Sequence, residues 1–329
     1  MAERFRHWRF LACAALLALA AVQPFSGRPA LAQTAESPDA VIRVGVGPDE
    51  ATTPLLYTAQ AGIYKKYGLN VQIVALRGGA AVAAALAGGS LEIGKTSALG
   101  VITAVAKGIP FTTIGSISYY NADKPNYALL VAADAPVKTA SDLVGKTMGA
   151  VSLEDSNSIA MFAWLEQRGV DHTTIKLVEI PASAELTAME QGRVVGSTFY
   201  EPFFTQFVNS GKARVLGYPY SAIGKHFSDS VLFADTKWAD SHRAVLARFL
   251  RATDEGSKYI AAHENEGTAI IAKFSGADPA AMANIRKPGR GVALNASDLQ
   301  PLIDTAAKYK VIPQAFPAQT MICTCALRH

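Results

Sequence analysis

The chain has 329 residues, half of them apolar, and a formal net charge of +4 at pH 7. Residues 1–32 hold four Arg and one Glu, so the remaining 297 residues carry only +1. So small an excess excludes a nucleic-acid binder built on a basic stripe, while the length admits two domains.

Residues 1–32 read as a signal peptide. Arg4, Arg6 and Arg9 form a basic start, and residues 10–22 are an apolar run too short to span a bilayer. Ala30-Leu-Ala32 before Gln33 is an A-x-A cleavage site. No twin arginine is present, which favours general secretion. Leu11-Ala-Cys13 is only faintly like a lipoprotein box, because Cys13 sits at the start of the apolar run rather than after it. No later apolar run reaches transmembrane length without a Gly, Pro or charge. The expected product is a soluble periplasmic protein, cleaved after Ala32.

Residues 41–46 read as a strand, and Gly47-Pro-Asp-Glu50 as a turn. Thr53 caps a helix with Pro54 at its first position, running to about Lys66. A strand over 71–76 follows, then Arg77-Gly-Gly79 opens a helix over 80–87. Residues 91–94 form a third strand, Lys95-Thr-Ser97 starts a third helix, and 111–116 form a fourth strand. Residues 127–132 are a further strand. A second cycle then runs through a strand at 147–151, a helix at 156–168 capped by Ser156, strands at 175–180, 194–199 and 213–216, and helices opened by Pro181 and Glu201-Pro202. Beyond Gly217 a strand at 231–234 precedes a mostly helical return, with helices at 243–263 and 297–309. Strands alternating with helices at this pace predict α/β architecture with mainly parallel sheets, about 41–132 and 135–216. Cys323 and Cys325 are separated by one residue, which makes a strain-free disulfide difficult. They read as incidental residues of a C-terminal tail, 316–329, and no His/Cys cluster suggests a metal.

Parallel strands put polar βα loops on one edge, where open α/β sheets bind ligands. In the first sheet these loops hold Asp49, Arg77, Gly78, Gly79, Thr96 and Ser97. In the second they hold Glu154, Asp155, Ser156 and Glu201. Short hydroxyls and glycines let backbone N–H groups approach a ligand. Tyr119, Tyr120 and Asn121 offer a flat wall with hydrogen-bonding tips. Each also has a plain structural role: Ser97 and Ser156 as caps, Gly78-Gly79 as a tight turn, Arg77 as a solvated charge, Tyr119 as packing. Their joint placement on one edge carries the argument. Hydrolase, zincin and Walker motifs are absent, and the six histidines are scattered.

With these loops in place, the chain resembles the NMT1-like solute-binding proteins of ABC importers for aliphatic sulfonates, taurine, nitrate and pyrimidine precursors. The matching words are Gly62-Ile-Tyr-Lys-Lys-Tyr-Gly-Leu69, Gly88-Gly-Ser-Leu-Glu-Ile-Gly94, Pro136-Val-Lys-Thr-Ala-Ser-Asp-Leu-Val-Gly-Lys146, Ala188-Met-Glu-Gln-Gly-Arg193 and Tyr200-Glu-Pro202. The resemblance covers roughly 41–310. It implies a two-lobed periplasmic binding protein of the class II type, with lobe I from 41–132 plus 218–315 and lobe II from 135–216. The crossovers would lie near 131–134 and 216–219. It also implies a small-molecule solute between the lobes, hinge closure, an ABC permease as partner, a monomer, and no catalysis, cofactor or metal. The implied ligand contacts are Asp49, Gly78, Gly79, Thr96, Ser97, Ser156, Asn157 and Glu201. Two departures stand out. Val194-Val195-Gly196 replaces a frequent Val-Asp-Ala, with little effect expected. Glu154-Asp155-Ser156 replaces a Gly-Ser-Ser type loop, and its carboxylates repel a simple oxyanion. The favoured solute is therefore neutral, zwitterionic or heteroaromatic, with Arg77 at an acidic end and Asp155 at a basic end. The alternatives are an enzyme like the pyrimidine-precursor synthases on the same fold, and a periplasmic sensor partner.

Overall fold

Ile42, Val44 and Val46 put branched apolar side chains on one buried face, and in the computed structural model Val41–Val46 (β1) pairs in parallel with Asn70–Ala75 (β2) along its whole length. The structure describes residues 40–153 and 155–327, so the signal segment, its cleavage site and Glu154 lie outside the described residues. Between these strands run helices Thr53–Gln60 (α1) and Ile63–Lys66 (α2). The single helix expected here is broken at Gly62, whose φ of 70° lies in the left-handed region. Thr53 is the first helical residue rather than the cap. Asp49 caps the preceding turn by accepting from the Ala51 N–H.

The first half continues with Gly79–Ala87 (α3), Ile93–Ser97 (β3), Ala98–Ala106 (α4) and Phe111–Asn121 (β4). Ser97 caps α4, accepting from the Gly100 N–H at 3.2 Å. Then come Tyr127–Ala132 (β5), Thr147–Ala150 (β6), Ser156–Glu166 (α5), Lys176–Glu179 (β7), Ala182–Glu190 (α6), Gly196–Tyr200 (β8), Phe203–Asn209 (α7) and Ala213–Gly217 (β9). The return begins with His226–Asp235 (β10), Thr236–Ser241 (α8), Arg243–Ala262 (α9), Glu264–Ser275 (α10) and Pro279–Met282 (α11). It ends with Gly289–Arg290 (β11) and Gln300–Lys308 (α12).

Two sheets result, ordered β11-β4-β10-β3-β1-β2 and β7-β6-β8-β5-β9. Both are mixed rather than mainly parallel. β10 runs antiparallel to β3 and β4, and β5 runs antiparallel to β8 and β9. The cause is the crossing of the chain between sheets. It leaves β4 and β9 at the edge where their strands end, and enters β5 and β10 from that same edge, so the entering strands must run the opposite way. Residues 127–132, expected in the first sheet, therefore belong to the second. The crossings lie at 122–126 and 218–225, rather than at 131–134 and 216–219.

Helix α5 serves both sheets. Its Ile159 and Ala160 pack with Leu299, Leu302 and Ile303 in the core of the first sheet. Its Met161, Trp164 and Leu165 pack with Leu129, Val131 and Met148 in the core of the second. The C-terminal segment also departs from expectation. Ala318, Met321, Ile322, Cys323 and Ala326 are buried against the first sheet, and the Cys323 N–H donates to the Thr113 carbonyl at 2.8 Å. Cys323 and Cys325 are joined in a disulfide, not incidental thiols. A turn in which Ala326 N–H reaches the Cys323 carbonyl brings the two Cα atoms to 5.1 Å, within bridging range. Among the described residues no helix is long and apolar enough to cross a membrane.

Candidate functional site

The ends of β1 and β3 on one side and of β6 and β8 on the other come close enough that the charges of Asp49 and Asp155 both act on Tyr200. On the first sheet's side Gly79 starts α3 so close to β3 that an added Cβ would meet Thr96 Oγ1 at 1.9 Å. Gly78, at φ 85°, makes the turn that permits this approach. Lys95, only 3% exposed, pairs with the half-exposed carboxylate of Asp49. Asp229 on β10 accepts from the Ser118 hydroxyl. Burial pushes Asp229 up to about 6, with Asp49 adding to the shift and Lys95 opposing it.

On the second sheet's side the residue capping α5 is Asp155, not Ser156. Asp155 has the extended backbone a cap needs, and its carboxylate accepts from the Ser158 N–H at 2.8 Å, making Ser156 the first helical residue. Asn157 also donates to Asp155, from backbone and side chain, which leaves its buried Oδ1 without a partner. Burial raises the Asp155 carboxyl against these hydrogen bonds. Close by, Glu185 on α6 is fully buried. One oxygen accepts from the Ser197 hydroxyl at 2.6 Å and the other has no partner. Burial, then the charge of Asp155, lifts it to about 7.

Three tyrosines join the two sides. Tyr127 and Tyr220 stack at 4.1 Å between ring centroids, and Tyr200 lies 6.4 Å from Tyr127. Burial raises all three phenols. The carboxylates add to it: Asp229 and Asp49 on Tyr127, Asp155 and Asp229 on Tyr220, Asp49, Glu185 and Asp155 on Tyr200. Asp49 and Asp229 from one sheet and Asp155 from the other thus surround the same rings. A gap lined by Tyr127, Ala128, Asn157, Thr198, Pro219 and Tyr220 lies there, too tight in this structure to admit a water molecule. Protonated phenols, amide oxygen and carboxylates suit a ligand that donates hydrogen bonds or carries positive charge.

Of the residues expected from the sequence, Asp49, Gly78, Gly79, Thr96, Ser97, Asp155, Ser156 and Asn157 lie on the facing edges. Arg77 is there too, exposed and without a protein partner among the described residues. Tyr119 is different: its hydroxyl donates to the Ala293 carbonyl and its ring stacks on His226 at 4.9 Å. Glu201 is also engaged internally, accepting from Thr205 (N–H at 3.1 Å, hydroxyl at 2.7 Å) and from the Arg286 N–H at 3.1 Å. Lys95, Tyr127, Glu185, Tyr220 and Asp229 escape sequence reasoning. The available signal was a charge inside an apolar strand, as in Ile93-Gly-Lys-Thr-Ser97 and Phe227-Ser-Asp-Ser-Val231.

The profile described as NMT1/THI5 like matches residues 50–267, most of the chain. The chain belongs to the NMT1/THI5-like family. It is 24% identical over 189 residues to a putative aliphatic sulfonates-binding protein of Escherichia coli strain K12, covering 57% of each chain. It is 27% identical over 128 residues to a 4-amino-5-hydroxymethyl-2-methylpyrimidine phosphate synthase of Legionella pneumophila, covering 39% of each. The chain therefore matches little more than half the length of one curated relative and less of the other. The crystal structure of the periplasmic aliphatic sulphonate binding protein from Escherichia coli superposes with a TM-score of 0.75 at 21% identity. That match covers 86% of this chain and 97% of the other, and it shows a periplasmic binding protein fold. Family and fold agree with the resemblance read from the motifs.

Proposed function

We propose that this chain is the extracytoplasmic solute-binding protein of an ABC importer. It captures a small organic solute between two lobes and delivers it to permease subunits on hinge closure. The lobes correspond to the two sheets, and residues 1–32 serve as the cleaved export signal. The sulfonate-binding relative supports the transport role. Asp49, Arg77, Gly78, Gly79, Thr96, Ser97, Asp155, Ser156 and Asn157 are the proposed solute contacts, together with Tyr127, Tyr200 and Tyr220.

The observation that carries the ligand class is the cap of α5. A helix N-terminus left open at the cleft offers its N–H groups to an oxyanion. Here the chain's own Asp155 carboxylate occupies that position, with Asp49 and Asp229 across the rings. A sulfonate would meet like charge, whereas a neutral or zwitterionic molecule with an N–H donor, or a heteroaromatic ring, meets acceptors and aromatic faces. Arg77 remains available for an acidic end.

A thermal-shift screen of the protein tests this reading. The panel holds alkane and aryl sulfonates, taurine, nitrate, aromatic carboxylates, amines and pyrimidines. A ligand at about 100 times its dissociation constant adds about 2.7 kcal/mol, readily seen in a melting curve. Stabilisation by amines or heteroaromatics and not by alkanesulfonates is the expected result. A nitrate or alkanesulfonate hit alone would overturn the ligand class and leave the transport role standing.

A further inference from the structure

A second concavity lies away from the cleft. It has a volume of about 270 Å³ and is lined by Lys138, Thr139, Ala140, Ser141, Trp164, Arg168 and Leu216. Three parts of the second sheet's half build it: the turn before β6, the C-terminal half of α5, and the end of β9.

Its chemistry is opposite in sign to that of the cleft. Lys138 and Arg168 both line it, and neither has an ion-pair partner among the described residues. The Asp142 carboxylate beside them accepts from the Lys138 N–H, the Thr139 N–H and the Thr139 hydroxyl; these bonds, and the Lys138 charge, hold it ionised, so it offsets part of the positive charge. The Arg168 guanidinium lies over the Trp164 ring at 4.1 Å and donates one N–H to the Trp164 carbonyl at 3.0 Å. Stacking fixes the plane of the fork, and its other N–H groups remain for an acceptor. Trp164 is 3% exposed, and its indole N–H is buried without a partner. A buried indole N–H normally finds an acceptor. This one sits against Gly217, where an added Cβ would meet the ring at 2.4 Å. The Arg168 guanidinium thus covers a ring that is itself buried; its outer face and Leu216 make the floor, Lys138 stands on the rim, and Ser141 adds a hydroxyl.

We propose that this pocket is a second ligand site, taking a small organic anion with a flat apolar body, of the arylcarboxylate class. The carboxylate sits between Lys138 and the free edge of Arg168, and the ring lies on Leu216 and the outer face of the stacked guanidinium. Two charge-assisted hydrogen bonds supply orientation, and the leucine and the flat guanidinium face supply contact to the ring.

Calorimetric titration with benzoate, with benzamide as the uncharged control, tests the proposal. Saturable benzoate binding is expected, with benzamide at least about tenfold weaker. The Lys138→Gln/Arg168→Gln double variant should weaken benzoate by about tenfold or more, and Lys138→Gln alone by a part of that. Lys138 is exposed and only its backbone is hydrogen-bonded, so Lys138→Gln keeps the comparison valid if the double variant is unstable. Absence of saturable benzoate binding up to about 10 mM overturns the site. Equal affinity in the variants, or equal affinity for benzamide, does so as well.

Discussion

Replacing Glu185 by Gln should stabilise the protein in a pH-dependent way. The side chain is fully buried on α6, and its carboxyl is lifted from 4.5 to about 7. The folded state therefore holds the proton over a range where the unfolded chain has released it. Stability from this group is present below about pH 4.5 and is lost as pH rises toward 7. The full loss is about 3 kcal/mol, reached above pH 7. Gln cannot ionise, and its amide oxygen still accepts from the Ser197 hydroxyl. Its amide N–H group takes the place of an oxygen that already has no partner, a cost that does not vary with pH. The stability of Glu185→Gln relative to the parent should thus grow by about 2 to 3 kcal/mol between about pH 5 and about pH 8. Urea unfolding of both proteins at the two pH values measures it. A difference that stays constant across that window, or that shrinks, would refute the assignment of a carboxyl held neutral by burial.

Two further outcomes follow from the same geometry. Asp155→Ser keeps a side chain that caps α5 but removes the charge at its N-terminus, so affinity for alkanesulfonates should rise by about tenfold in a binding titration. Loss of affinity for every solute alike would sink the charge argument. Ending the chain after Pro317 exposes the sites filled by Met321, Ile322, Cys323 and Ala326, and should cost at least about 4 kcal/mol in urea unfolding. An unchanged midpoint would mean that the segment is not packed on the first sheet.

The element order was readable because it rests on local chemistry. Branched runs make the strands, and Gly78, Gly88 and Gly169 punctuate the helices. Strand direction was not, since β5 and β10 owe theirs to where the chain changes sheets, a tertiary event without a local signature. The same division runs through the site. Asp49, Gly79, Thr96 and Asn157 stand out as loop residues at strand ends. Tyr127, Asp229 and Glu185 come from strands and a helix and Tyr220 from a crossing, and only folding brings their charges and rings within reach of one another. The choice of Asp155 over Ser156 as cap turned on a single residue of backbone register, within the usual uncertainty of a helix end. The cysteine pair was misjudged for a related reason. Spacing alone disfavours a bridge, but the turn at 323–325 is held in place by the first sheet.

Helix α5 has two sets of neighbours and one rigid backbone. Its eleven residues span about 16 Å. One end carries Asp155 and Asn157 at the cleft. The other carries Glu166, which accepts from the Tyr309 hydroxyl at 2.9 Å, is bonded to His172 at 2.8 Å, and pairs with Lys308 of α12. The middle is gripped by the cores of both sheets. Such a rod cannot follow one sheet without dragging on the other. A tilt of its cleft end would therefore displace the Glu166–Lys308 seam at the far end.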